Sequence, residues 1–275
     1  GIVPDLIVCN PDRPRGRKLV LAPPPVKVWA EKRSVPTFQP DSLKDKSGLT
    51  PLTETEWDLF IVAAYGNIMP KEILDIPRYG AINVHPSLLP LWRGPSPIQY
   101  TILSGDARTG VTIMLMDEEV DHGPILANQE SLLRTRLRKG KTGIRNQEYT
   151  GDLSKRLAGI GADLLLKTIP KWINREIKPQ EQDHSKATYS KKITKEDGHI
   201  NWSKSAEEIE RQIRAFTPWP GSFTFWNDKR IKILASHVGN LTSHVGGKDG
   251  EVLSIDDGKL EIQTGNVVLT VDRLH

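Results

Sequence analysis

The sequence predicts an α/β protein in which a Rossmann-like parallel-sheet domain is followed by a small OB-like β-barrel domain. In the first two thirds of the chain, short apolar runs alternate with helical patterns, as is typical of a parallel sheet buried on both faces. Between Gln180 and His199 the chain becomes polar and charged, like a linker. After Ser222, short strands alternate with Gly and Asp-Asp-Gly turns, which indicates a small barrel.

Four segments of the first domain are predicted to be strands, because they are short, apolar and rich in β-branched residues. They are Leu6–Cys9, Leu59–Ala64, Ala81–Val84 and Val111–Met116. Cys9 is the only cysteine, so it cannot form an internal disulfide, which favours a reducing compartment. Its place in an apolar strand favours a buried packing residue over a reactive thiol.

Helical patterns separate and follow these strands. Helices are predicted at Val26–Lys32, Ile98–Ser104 and Asp152–Asn174, the last with an apolar stripe that faces a core. A further helix is predicted at Ala206–Phe216, where Ser205 and Glu208 have the spacing of a capping box.

The predicted strands of the second domain are Ile231–Leu234, Val252–Ile255, Leu260–Gln263 and Val267–Val271. We therefore place the first domain at residues 1–182, the linker at 183–202 and the barrel domain at 203–275.

Composition favours a globular protein with packed cores, since 37% of the residues are hydrophobic and 26% are charged. No apolar run approaches the roughly 18 residues that a membrane helix needs, and the first ten residues do not resemble a secretory signal. The net charge of +4 permits a polyanionic partner without requiring one. We expect no membrane association.

Asn83 and His85 stand two positions apart at the end of a predicted strand, so they point to the same face. Ligands bind at the carboxyl ends of strands in open parallel sheets. An amide donor beside a group that titrates near neutrality can stabilise an oxyanion and move a proton. By themselves, the two residues fit a structural pair about as well as a catalytic one.

Asp121 follows the strand at Val111–Met116, so its loop is expected at the same edge of the sheet. A carboxylate there could orient His85 and favour its protonated form. The alternative is an ordinary turn aspartate near a glycine.

These residues belong to a longer pattern that resembles the signature of formyltetrahydrofolate-dependent formyltransferases. The matching segments are Asn83-Val84-His85, Ser87-Leu88-Leu89-Pro90, Arg93-Gly94 and Val120-Asp121 before Gly123. The resemblance implies catalysis by Asn83, His85 and Asp121. It also implies that 10-formyltetrahydrofolate is the formyl donor and binds at Ser87, Leu88, Leu89 and Pro90. We expect no metal, because the seven histidines and the cysteine show no ligand spacing.

Other segments resemble the family members that formylate methionyl-initiator tRNA. They are Pro11–Lys18 with Pro23–Lys27, Ala63–Gly66, and Ile213–Gly221. The resemblance implies tRNA phosphate contacts by Arg13, Arg15, Arg17 and Lys18, on a segment that we expect to be a mobile loop. It also implies a tRNA-contacting second domain. We expect a monomer in the bacterial cytoplasm, with an organelle as the alternative.

Two other functions stay open. The same chemistry could act on an amino-sugar nucleotide or another small amine, or the chain could be a non-catalytic RNA-binding relative. Three features depart from the family pattern. The first strand–helix unit of the family is not seen, and the segment 131–150 is longer and more basic than the corresponding loop that we expect. In addition, His122 follows Asp121.

Overall fold

The computed structural model describes residues 2–15, 19–44, 48–133, 135–137, 145–239, 246–256 and 258–275. The chain forms two compact units and enters each of them three times. The first unit comprises Gly1–His85, Thr112–Ala127 and Ala162–Gln182. The second comprises Pro86–Val111, Asn128–Gly161 and Asp183–His275.

The strands, in chain order, are β1 Ile7–Val8, β2 Arg13–Arg15, β3 Val20–Ala22, β4 Thr37–Phe38, β5 Phe60–Val62, β6 Ala81–His85, β7 Arg108–Leu115, β8 Ile125–Leu132, β9 Thr135–Leu137, β10 Arg145–Gln147, β11 Ser222–Trp226, β12 Lys229–Val238, β13 Val252–Asp256, β14 Lys259–Gln263 and β15 Val268–Leu274. The α-helices are α1 Pro25–Glu31, α2 Thr50–Thr53, α3 Lys71–Leu74, α4 Pro97–Ser104, α5 Thr150–Ile173 and α6 Ala206–Phe216.

The sheet that carries Asn83 and His85 has the strand order β5-β6-β7-β8. Strand β6 is internal, as predicted, and runs parallel to β5. It runs antiparallel to β7, with His85 opposite Thr112 and Ile82 opposite Leu115. The expectation of a purely parallel sheet was therefore wrong at this strand. An apolar run identifies a buried strand, but it carries no information about the direction of that strand.

Among the described residues of the first unit, buried side chains form two groups. Leu43, Leu49, Leu52 and Ile73 form one group, which packs with residues of β1, β4 and β5. The other group is built on Ile82, Ile113, Leu126 and Ile169, from β6, β7, β8 and α5. Val84 packs against this second group, so the face of β6 that carries Ile82 and Val84 is part of the core.

The second unit contains a five-stranded antiparallel sheet with the order β11-β12-β15-β14-β13. Helix α6 packs on it through Ile209 and Ile213, which are fully buried among apolar residues of the sheet. The predicted capping box is present, since the Ser205 side chain accepts from the Glu208 backbone and the Glu208 carboxylate accepts from the Ser205 backbone. The prediction of a Rossmann-like domain followed by a small OB-like β-barrel domain is confirmed as a mixed-sheet domain followed by an antiparallel β-domain.

No helix within the described ranges is long and apolar enough to cross a membrane.

Replacing Ile209 by Ala should lower the free energy of unfolding by about 2–5 kcal/mol, because it leaves a cavity in a fully buried cluster. Urea titration followed by circular dichroism measures this decrease. The matched control is Ile255→Ala, at a side chain that is 74% exposed, which should change stability by less than about 0.5 kcal/mol. Equal effects of the two substitutions would contradict the packing described above.

Candidate active site

Strand β6 fixes the directions of Asn83 and His85. Ile82 and Val84 belong to the same group of apolar side chains in the core. Because side chains alternate along a strand, Asn83 and His85 point to the opposite face of the sheet. His85 is 3% exposed although its ring is polar. An internal strand therefore holds both candidate catalytic side chains on one rigid face.

Asp121 joins Asn83 and His85 through a single carboxylate oxygen. The Asn83 side-chain amide donates a hydrogen bond to Asp121 Oδ1 at 3.2 Å. The same oxygen lies 3.4 Å from His85 Nδ1. The three residues named from the sequence are thus brought together in the first unit.

The route by which Asp121 reaches the site differs from the predicted one. Because β7 runs antiparallel to β6, its end at Leu115 lies opposite Ile82, away from His85. The loop from 116 to 124 returns beside β7, where the Leu115 amide donates to the Pro124 carbonyl. Asp121 therefore reaches the site by a returning loop, and the expectation of a shared carboxyl edge was wrong.

The local sequence explains how this loop holds its shape. Asp117 accepts a hydrogen bond from the Glu119 backbone at 3.0 Å, and its second oxygen lies 2.7 Å from His122 Nδ1. A Cβ added at Gly123 would lie 2.1 Å from the Leu115 carbonyl oxygen, so the close approach requires glycine. His122, which departs from the family pattern, faces Asp117.

Sequence reasoning missed Gln182. Its side chain is 5% exposed, and Nε2 donates to the Asp121 carbonyl at 3.0 Å and to the Gly123 carbonyl at 2.7 Å. Gln182 lies in the polar stretch from Gln180 to His199, directly before the predicted linker at 183–202. Its distance along the chain from Asp121 left no local signal.

The segment Ser87-Leu88-Leu89-Pro90, in the second unit, is partly built into the protein. Ser87 is 1% exposed, and its hydroxyl donates to the Leu91 carbonyl at 2.5 Å. Leu89 is 6% exposed. The Leu88 side chain lies against Gly110, where an added Cβ would come within 2.5 Å of it. Leu88 and Pro90 stay partly accessible.

Arg93 is buried in the same unit, with only 2% of its surface exposed. Its guanidinium lies 2.8 Å from His184 Nδ1, and its backbone amide donates to the Thr188 carbonyl. Burial of a charged side chain requires such partners. Arg93 therefore ties the segment after Pro90 to residues near position 186.

The first residues of the basic segment form a strand. Arg13–Arg15 pairs antiparallel with Val20–Ala22, so the expectation of a loop was wrong for these residues. Pro14 is compatible with the pairing because a two-stranded ribbon consists of edge strands, where a missing N–H is tolerated. Gly16, Arg17 and Lys18 lie outside the described residues.

The base of this hairpin is anchored at Asp12. Lys27 Nζ lies 3.0 Å from Asp12 Oδ1, and the Gln39 amide donates to the same oxygen at 2.8 Å. Hydrogen bonds from Gln39 and then Lys27 hold the pKa of the Asp12 carboxyl below its usual value. Arg13 therefore follows directly after Asp12, which Lys27 and Gln39 hold in place.

Comparisons with known proteins identify the family of this chain. The family model described as "Formyl transferase" matches residues 4–149. The model described as "Formyl transferase, C-terminal domain" matches residues 192–275. The chain belongs to the formyltransferase family.

Among named relatives, methionyl-tRNA formyltransferase of Roseiflexus sp. strain RS-1 is 44% identical over 96% of this chain and 78% of the relative. The enzyme of that name from Chloroflexus aurantiacus strain J-10-fl is also 44% identical, over 85% of this chain and 72% of the relative. The Bacillus licheniformis enzyme is 39% identical over 94% of this chain and 78% of the relative.

Solved structures show the same fold at low identity. HypX from Aquifex aeolicus in complex with tetrahydrofolic acid has a TM-score of 0.65 at 17% identity, over 98% of this chain and 44% of that one. The N-formyltransferase from Helicobacter canadensis, with folinic acid and dTDP-3-aminofucose, has a TM-score of 0.65 at 19% identity, over 90% of this chain and 82% of that one.

Because His122 contacts Asp117, His122→Ala should lower the rate of formyl transfer by less than about fivefold, the equivalent of one ordinary hydrogen bond. Asp117→Ala removes the same contact and also the hydrogen bond from the Glu119 backbone, so the double variant should be little slower than Asp117→Ala alone. Steady-state kinetics of all three variants measures this. A decrease near a hundredfold in His122→Ala alone would instead place His122 in the chemistry.

Proposed function

We propose that this chain transfers the formyl group of 10-formyltetrahydrofolate to the amino group of methionyl-initiator tRNA. The observation that carries the proposal is the convergence of Asn83 and His85 on the carboxylate of Asp121. The relatives named as methionyl-tRNA formyltransferases, at 39–44% identity over most of the chain, support this acceptor.

The reaction joins the methionyl nitrogen to the formyl carbon and breaks the bond from that carbon to N10 of the folate. One proton leaves the attacking amine, and one arrives at the departing folate nitrogen. A group that accepts a proton near neutral pH and returns it within the same site meets this need. His85 performs this transfer through Nε2, on the side of the ring opposite Asp121.

Asn83 stabilises the negative charge that develops on the formyl oxygen. A primary amide carries two N–H groups, and one of them donates to Asp121. The second donates to the oxyanion, and the bond to Asp121 fixes its direction before the reaction begins. Asp121 thus orients both the amide and the imidazole.

We propose direct transfer without a covalent enzyme intermediate. Cys9, the only cysteine of the sequence, is buried, and burial raises the pKa of its thiol. A thiol must ionise to act as a nucleophile, so this environment works against that role.

The folate is proposed to lie against Ser87, Leu88, Leu89 and Pro90, whose backbone groups and apolar side chains suit a flat heteroaromatic ring. Leu88 and Pro90 are the partly accessible members, and buried Ser87 and Leu89 hold the segment in shape. The tRNA phosphates are proposed to contact Arg13, Arg15, Arg17 and Lys18.

Residues 1–182 are proposed as the catalytic domain, 183–202 as a linker and 203–275 as a tRNA-contacting domain. The three proposed catalytic residues lie in one unit of one chain, and we propose a monomer. The relatives named above are bacterial, which favours the bacterial cytoplasm as the site of action.

Replacing His85 by Ala should lower kcat at least ~100-fold, the usual scale for removal of a general acid–base group. His237→Ala is a matched control, since His237 Nδ1 also faces a carboxylate, Asp272 at 2.9 Å, in the second unit. Turnover with saturating methionyl-tRNA should be nearly unchanged in that control. Near-native kcat in His85→Ala would remove His85 from the mechanism.

Salt dependence tests the acceptor. If Arg13, Arg15, Arg17 and Lys18 contact phosphates, replacing all four by Ala should raise KM for methionyl-tRNA and flatten its dependence on salt. The log–log slope should fall by about 0.7–0.9 for each phosphate that the variant no longer neutralises. The KM for the folate should stay nearly constant.

The charge-matched control for this experiment replaces four exposed lysines on and after α5, namely Lys155, Lys167, Lys171 and Lys178. It changes the net charge equally, so it should leave the slope close to the wild-type value. Identical slopes for the wild type and the basic-segment variant would exclude that segment from tRNA recognition. Equal turnover of small amines and methionyl-tRNA would exclude the proposed acceptor.

A further inference from the structure

A buried amide, that of Gln182, ties the loop that carries Asp121 to a neighbouring segment of the first unit. Gln182 Nε2 donates to the Asp121 carbonyl at 3.0 Å and to the Gly123 carbonyl at 2.7 Å. The backbone near Gln182 is itself fixed, because Gln180 and Ile125 exchange two backbone hydrogen bonds of 2.9 and 2.7 Å. The amide is therefore held at a defined position relative to the sheet.

The loop needs this support because its backbone is strained. Asp121 has φ of +50°, in the left-handed region, which a residue with a side chain adopts at a cost. Such conformations persist only where the surroundings enforce them. Gly123 adds a second constraint, since it lies too close to the Leu115 carbonyl for any Cβ.

A glutamine is well suited to this task. The Gln182 Nε2 atom donates to both the Asp121 and the Gly123 carbonyl oxygens. Among side chains, only a primary amide offers two N–H groups on one uncharged nitrogen. A lysine would bury a charge, and an ionised glutamate would face both oxygens with like partial charge. Unsatisfied carbonyls in a buried place are costly, so the loop would move to find other donors.

Moving the loop would move the Asp121 side chain. Its Oδ1 atom accepts from Asn83 at 3.2 Å and lies 3.4 Å from His85 Nδ1, so a displacement of about 1 Å would disturb both interactions. The Gln182 amide meets the backbone of the loop, so its influence on the reaction passes through the position of Asp121.

We propose that Gln182 is a positioning residue for formyl transfer, which fixes the backbone at Asp121 so that its carboxylate holds Asn83 and His85 in register. The inference rests on the proposed catalytic roles of these three residues. Gln182 acts on the chemical step and leaves the binding of both substrates nearly unchanged.

The test compares Gln182→Met, which keeps the shape and removes both donors, in the wild type and in an Asp121→Ala background. Single-turnover rates of formyl transfer are measured with saturating methionyl-tRNA and folate, and each KM is measured by steady-state titration of that substrate. In the wild-type background the rate should fall roughly 10–100-fold, with each KM changed by less than about threefold, as expected for removal of a buried donor. In the Asp121→Ala background the same change should cost less than about twofold, because the two residues act as a unit.

Gln180→Met is the matched control, since Gln180 is exposed and its backbone hydrogen bonds do not use the side chain. It should leave the rate unchanged. The proposal is overturned if Gln182→Met keeps the wild-type rate, or if it lowers the rate by the same factor in both backgrounds. An Asp121→Ala variant with full activity would overturn the proposed function as well, which separates the two failures.

A second variant covers the case in which Gln182→Met does not fold. Gln182→Glu retains a donor only when its carboxyl is protonated, and burial raises the pKa of a carboxyl group. The rate of Gln182→Glu relative to wild type should therefore rise by about tenfold or more as the pH is lowered from 8 to 5.5, because one hydrogen bond is restored. A ratio that is constant over this range would contradict the positioning role.

Discussion

The site depends on one carboxylate oxygen that serves two neighbours. Asp121 Oδ1 accepts from the Asn83 amide and faces the His85 ring, so it fixes the proposed oxyanion donor and the proposed proton carrier together. Both neighbours stand on an internal strand whose other face is packed into the core. Rigid support on one side and a positioned carboxylate on the other give the preorganisation that electrostatic catalysis requires.

The reversal of strand direction at β7 explains why the Asp121 loop is built as it is. Because β7 ends opposite Ile82, the chain must return before Asp121 can reach His85. The return contains a close-packed glycine at 123, an Asp117–His122 contact and a left-handed residue at 121. Gln182 compensates for the strain of that arrangement by satisfying two of its carbonyls.

Much of this was predictable from residue patterns. The strand Ala81–Val84, the capping box at Ser205 and the grouping of Asn83, His85 and Asp121 all follow from local spacing or from family resemblance. The direction of β7 did not, because apolar periodicity is the same for both directions. Nor did Gln182, since a polar residue in a polar stretch gives no sign that it is buried. The strand at Arg13–Arg15 was not predicted because proline disfavours internal strands, although it is compatible with a two-stranded ribbon.

The most direct test of the account is the single-turnover rate of formyl transfer to methionyl-tRNA by Asp121→Asn. This change keeps the size of the side chain but replaces the carboxyl group by an amide. If Asp121 orients Asn83 and His85, the rate should fall by at least ~100-fold while the affinity for 10-formyltetrahydrofolate stays nearly constant. A variant that transfers the formyl group at the wild-type rate would contradict the account, because the geometry assigns that orientation to the carboxylate.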